Sequence, residues 1–147
     1  MVTINESQDA LAFLVGQLNG TVSDTNGNVP VVVTYPHDIE SLPSCIIVPG
    51  DARIEPISIP AERYRWFHPF DIEVWETSIS LRYSLEKSVR DRILALTIPP
   101  ATQLATNYVF MWITGDSPAD IINDYGTPIY HKILHLELIY DLVNPPV

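Results

Sequence analysis

The stretch FDIEVWETSISLRYSLEKSVRDRILAL, residues 70–96, decides the fold. Its first part alternates: Phe70, Ile72 and Val74 are apolar while Asp71 and Glu73 are charged, the period of a strand with one buried face. The period then changes. Leu81, Leu85, Val89, Ile93 and Leu96 recur at intervals of four and three, so they share one face of a helix. A half-buried strand that feeds an amphipathic helix predicts a helix lying back on its own sheet. Ile79, Leu81, Tyr83 and Leu85 also alternate, but the helical stripe from Leu81 favours a start near Thr77 or Ser78. Pro99 and Pro100 end the helix. Nothing on either segment looks like a reaction centre, which points to an assembly part before an enzyme.

Working outward, Asn5 stands three residues before Gln8, the spacing of a capping box, and Leu11, Leu14, Val15 and Leu18 form a helical stripe that Gly20 can terminate. Residues 21–28 are polar and turn-rich and read as a loop. Residues 31–33 and 45–48 read as short buried strands. The proline-punctuated segment between them, residues 35–43, cannot stay regular for long. Residues 49–60 form an arm that Pro49, Pro56 and Pro60 break, yet Ile54, Ile57 and Ile59 make it apolar. Such an arm needs a cover, from its own domain or from a neighbour. Residues 62–67 resume an extended pattern, and Pro69 suggests a bulge or an edge position.

Residues 108–114 are β-branched and aromatic, a strand. Ser117, Pro118 and Asp120 carry the signals of a helix start, and Gly126 closes a short helix after about residue 125. Residues 129–142 form the last strand, with Leu134, Leu136, Leu138 and Tyr140 on one face and His131, Ile133, His135, Glu137 and Ile139 on the other. The expected fold is a single α+β domain over residues 1–147, mainly an antiparallel sheet with helices packed on one face. Residues 144–147 read as a free tail.

Composition narrows the function. A chain of 147 residues buries roughly 70% of its unfolded surface in one core. Lys and Arg number 8 against 18 Asp and Glu, a net charge of −10 that repels phosphate backbones and anionic membranes. The same charge suits a surface past which DNA slides, and it is also an ordinary solubility device. Cys45, the only cysteine, lies in an apolar run and reads as a core residue, so no intrachain disulfide forms. Residues 1–19 carry Glu6 and Asp9 and lack the features of a leader peptide. No run reaches the roughly 20 apolar residues of a membrane span. The expectation is a soluble protein made in a reducing cytoplasm, with no membrane partner.

Three constellations suggest chemistry, and each has a plainer explanation. His131 and His135 would share a metal on a helix, but on a strand four residues span about 13 Å. Asp116, Asp120 and Asp124 lack the glycine-centred pattern of a calcium loop and read as a solvated helix. Asp71, Glu73 and Glu76 suggest an acid/base pair, yet Asp71 and Glu73 fall on the polar face of a strand, where solvated carboxylates belong. No phosphate loop, dinucleotide fingerprint or nucleophile elbow is present. No catalytic residue, metal or cofactor is therefore expected.

The stretch Arg63, Tyr64, Arg65, Trp66, Phe67 combines the residue types that dominate protein interfaces. The aromatics equally suit the core of this domain. Together with Ile54, Ile57 and Ile59 they form the candidate interface. Two of the chain's eight cations make no basic patch, so a protein partner fits better than nucleic acid.

The order of elements resembles the tail-terminator (tail-completion) proteins of long-tailed bacteriophages and related archaeal viruses. FDIEVWETS running into SLEKSVRDRILAL carries the resemblance, with the terminal YHKILHLELIYDL. The resemblance implies a homo-oligomeric ring, typically a hexamer, that caps the tail tube, ends its polymerisation and joins tail to neck in the virion. The implied partners are the chain itself, the tail tube protein and the neck or connector proteins. DNA passes through the lumen unbound, and Asp71 and Glu73 would face the lumen or solvent. Neck and connector proteins share this size and composition. Outside virion parts, two other classes fit: a small enzyme with a pocket using His131, His135 and Glu137, and a monomeric binding module using the Trp66 region.

Overall fold

The computed structural model describes residues 3–33, 42–57, 63–97, 107–118, 121–122 and 128–143. Its centre is the predicted strand, longer than the quoted stretch. Strand β6 (Tyr64–Glu76) pairs antiparallel with β9 (Pro128–Leu142) in unbroken register, from Tyr64 opposite Leu142 to Glu76 opposite Tyr130. On the far side of β6 lie β4 (Ser44–Pro49) and β5 (Arg53–Pro56), and β3 (Val31–Val32) adds a short parallel strand to β4. Beyond β9 lies β7 (Tyr108–Pro118), and β8 (Ile121–Ile122) pairs with the start of β9. Strands β1 (Ser23–Asp24) and β2 (Gly27–Asn28) make a small separate hairpin where a loop was expected.

Helices α1 (Ser7–Leu18) and α2 (Ile79–Thr97) lie on the same side of the sheet. Arg92 joins them by donating from Nε to the Gln17 carbonyl at 2.9 Å. The helical stripes, Ala10, Phe13, Leu14 and Leu18 with Leu85, Val89, Ile93 and Leu96, close over Phe70, Ile72 and Val74 of β6 and Leu134, Leu136, Leu138 and Tyr140 of β9. Each valine, leucine, isoleucine or phenylalanine among them contributes about 1.5–3 kcal/mol when fully buried. The result is one compact α+β domain whose sheet is mainly antiparallel. Ser78 caps α2, its hydroxyl accepting from the Leu81 amide at 3.2 Å.

The proline-spaced arm is only partly an arm. Strands β4 and β5 are two halves of one course along β6, interrupted at residues 50–52. The break faces Pro69, whose carbonyl accepts from the Gly50 amide at 2.9 Å. A strand residue points its N–H and C=O to the same side, so the donor that Pro69 lacks faces the break, where no ladder partner is needed. Gly50 is required there. A Cβ on it would stand 3.0 Å from Pro69 Cγ and 3.3 Å from the Pro69 carbonyl oxygen, both parts of a rigid ring and backbone. Gly50→Ala is expected to cost about 1–2 kcal/mol, read as a lower urea midpoint at unchanged slope.

Two boundaries differ from expectation. Residues 117–125 were expected as a short helix; instead Ser117 and Pro118 continue β7 opposite Ile133 and Lys132, and Ile121 and Ile122 are also strand. The capping signal is local, and the long ladder offered by β9 overrides it. At the amino end Glu6, not Asn5, takes the N-cap position, and Asp9 Oδ2 accepts from the Asn5 amide at 2.9 Å. Residues 35–41, Ile59, Pro60, Pro99, Pro100, Asp120, Asp124, Gly126 and the tail 144–147 lie outside the described residues.

Candidate functional site: the open face of the sheet

The period of two that sends the even-numbered residues of β6 and β9 under the helices sends the odd-numbered ones to the opposite face. Register then places Arg65 beside Asp141, Phe67 beside Ile139, Pro69 beside Glu137, Asp71 beside His135, Glu73 beside Ile133 and Trp75 beside His131. Strand β7 joins this face through a bulge. Tyr108 lies opposite Tyr140 on the core side, but the register shifts before Phe110, which lies opposite Ile139 on the open side. Strict alternation would have put Phe110 on the same side as Tyr108. The extra residue allows Tyr108 and Met111 to face the core while Phe110 and Trp112 face outward.

One end of the open face is apolar. Phe67, Ile139 and Phe110 form a row across three strands, each half-buried, and Trp112 beside them is 44% exposed. The Phe110 and Trp112 rings lie 6.4 Å apart. The Arg53 guanidinium sits 4.1 Å above the Phe67 ring, and the Trp112 indole donates to Glu137 Oε1 at 3.2 Å.

The other end is polar. Asp71 Oδ1 lies 2.6 Å from His135 Nδ1, and His135 Nε2 lies 2.9 Å from Ser117 Oγ. This chain ties β6, β9 and β7 together crosswise. Its connectivity is that of nucleophile, base and orienter. Solvent reaches it, however: the His135 and Asp71 side chains are 38% and 45% exposed, whereas a nucleophile's charge stabilisation depends on a water-excluded site. One step further along, Glu73 lies 2.6 Å from His131 Nε2, with the Trp75 ring 4.4 Å from the imidazole.

The structure divides the candidate interface. Ile54 and Ile57 are exposed, as the expectation requires. Arg63 is exposed near Asp141, and Arg65 grips Asp141 with two bonds of 2.9 and 3.1 Å, which pushes the guanidinium pKa up. Tyr64 is half-buried against the core, and Phe67 belongs to the open face. Trp66 corrects the expectation: it lies on the helix side, 6% exposed, stacked on Tyr140 with ring centroids 5.9 Å apart. Strand alternation alone separates Trp66 from Phe67.

Asp71 lies on the open face as expected, but Glu73 corrects the expectation of a solvated carboxylate. It is 5% exposed, between Ile46 in register on β4 and His131 and Trp75. Asp71→Asn is accordingly expected to cost no more than about 1 kcal/mol. Glu73→Ala, which leaves His131 buried without its carboxylate, is expected to cost about 2–3 kcal/mol in the same denaturant titration. His131, His135 and Glu137 share the face without converging, since each holds its own partner. Among the described residues no group of three or more His, Cys, Asp or Glu is placed to hold a metal ion.

No family model and no curated protein matches the chain.

Among the described residues no helix is long and apolar enough to cross a membrane. Sequence reasoning found the open face but not its contents. The polar ties needed the β6–β9 register, and the sequence alone offers no turn of fixed length to set it. Ser117 was read as a helix cap, and the bulge that turns Phe110 outward leaves no mark in the composition of β7.

Proposed function

We propose that this chain is a structural subunit that assembles with copies of itself into a ring at the end of a viral tail tube. There it stops tube polymerisation and joins tail to neck. The observation that carries the reading is the unequal covering of the sheet. Both helices lie on one face, while the other presents Phe67, beneath the Arg53 guanidinium, with Phe110, Trp112 and Ile139, all outside the core that the helices cover. A second apolar surface stands at the β5 edge, where Ile54, opposite Trp66, faces the helix side and Ile57, whose amide donates to the Arg63 carbonyl, is of the opposite parity; each is 41% exposed. Two separate apolar surfaces, the open face and the β5 edge, suit a head-to-tail contact, which closes into a ring when the rotation closes. The net charge of −10 suits a lumen that DNA crosses without sticking, with Asp71 a contributor and Glu73 no longer one.

Light scattering behind a sizing column at several concentrations, with electron micrographs of the largest species, tests the assembly. The expected result is a ring of about six copies with a central hole. Adding the protein to polymerising tail tube protein tests the role, and shorter, capped tubes are the expected product. A monomer at every concentration that also leaves tube length unchanged would overturn the reading.

A further inference from the structure

Away from the open face, two acidic side chains meet inside the protein. Asp24, at the end of β1, and Glu76, the last residue of β6, are 8% and 0% exposed, and their carboxyl groups contact each other. The Asn26 amide donates to Asp24 Oδ1 at 2.8 Å. Asp24 Oδ2 and both Glu76 oxygens are buried without a well-formed hydrogen bond among the described residues, the Thr77 amide being the nearest backbone donor to Glu76. The pair sits where three parts join. Its hairpin is tied to α2 by the Ser23 amide donating to Ser88 Oγ at 2.9 Å, and Glu76 itself leads into α2.

Two carboxylates confined together out of water cannot both stay charged, because their repulsion grows as the local dielectric falls. One proton between them removes the repulsion and provides the donor that the orphan oxygens lack. The ionisable neighbours leave Asp24 as the dominant influence. From α2 come Arg82 and Glu86, both buried; from β9 come Tyr130, in register with Glu76, and Lys132. Glu86 is already held by Arg90 at 2.7 Å and by Lys132 at 3.4 Å.

We propose that Glu76 keeps its proton against the Asp24 carboxyl in the folded protein at neutral pH, and that losing this proton as pH rises releases the β1–β2 hairpin from the junction of β6 and α2. Burial first, and then the Asp24 carboxyl, push the Glu76 pKa up to about 8 from an ordinary 4.5, with the Thr77 backbone amide opposing. The sign follows. A carboxyl whose folded pKa lies above its unfolded one favours folding fully below the unfolded value. That contribution is lost as pH rises through the window between 4.5 and about 8. Within the window this site alone lowers the folding constant by up to about tenfold per pH unit.

The test compares wild type with Glu76→Gln, whose amide can donate to Asp24 without a titrating proton. Denaturant unfolding from pH 4 to pH 9.5 should show stability falling between 4.5 and about 8 and levelling above that in wild type, with a flatter profile in the variant. Hydrogen-exchange protection of the Val29 amide, which closes the hairpin onto the Val22 carbonyl at 3.1 Å, should fall at high pH in wild type only. An infrared band of a protonated carboxyl at pH 7, measured on wild type itself, decides the matter if the variant fails to fold. Parallel pH profiles in the two proteins, or no such band, would overturn the proposal. So would restoration of wild type at pH 9 by calcium but not of Asp24→Asn, since a cation would then hold the pair.

Discussion

Replacing Trp66 with alanine is expected to remove about 3–5 kcal/mol of folding stability, the usual cost of truncating a buried aromatic. The indole is nearly out of solvent, stacks on Tyr140 and belongs to the cluster that joins sheet and helices. Its loss leaves a cavity in the core cluster, against whose edge Ala52 and Tyr64 pack. Trp66→Phe should behave differently. The indole N–H is buried without an acceptor among the described residues, so phenylalanine gives up packing area but also removes an unsatisfied donor. A change within about 1 kcal/mol is expected for that variant. Chemical denaturation of both, read beside sizing of the folded fraction, separates a core role from an interface role. An alanine variant as stable as wild type that no longer assembles would return Trp66 to the interface.

That experiment also marks how far the sequence could be read. The residue 70–96 stretch contained both periods, and the structure keeps them: Phe70, Ile72 and Val74 face the helices, and Leu85, Val89, Ile93 and Leu96 cover them. The alternation of the last strand likewise predicted which residues of β9 face inward. Periodicity is a local property, so it survives translation into structure. What failed was non-local. Trp66 and Phe67 are adjacent and alike in character, and the inward parity of Phe70 reaches back to Trp66 only because β6 runs past Pro69 without a bulge. Glu73 reads as a surface carboxylate until Ile46 of β4 and His131 of β9 arrive beside it, with Trp75 two residues along its own strand. Glu76 continues the inward parity of Val74, but a glutamate at a core position is unexpected until Asp24 is found beside it. Of the candidate interface residues, Ile54, Ile57 and Phe67 are accessible and Trp66 is not, while Phe110 and Trp112 lie on the open face outside the stretches that the sequence singles out for an interface.

Those overlooked aromatics carry the second large expected effect. The double variant Phe67→Glu, Trp112→Glu should abolish ring assembly while leaving the monomer folded. Trp112 is 44% exposed and Phe67 is half-buried on the helix-free face, so neither is part of the cluster beneath the helices. In a subunit contact both rings would leave water, and a buried aromatic anchor commonly accounts for 2 kcal/mol or more of binding, roughly thirtyfold per site. Glutamate reverses the effect, because its charge must be desolvated without a partner on a surface already at net −10. Dissociation should therefore rise by at least about a thousandfold, enough to leave only monomer at micromolar concentration. At position 67 the new carboxylate stands beside Arg53, which is paired with Glu55, so Trp112→Glu alone is the cleaner single test of an unpartnered charge. Circular dichroism and the denaturant midpoint report the fold, and light scattering reports the ring. A double variant that stays folded and still forms rings would remove the open face from the contact. The exposed Ile54 and Ile57 edge would then have to hold the subunits together, and Ile54→Glu becomes the substitution that breaks the ring.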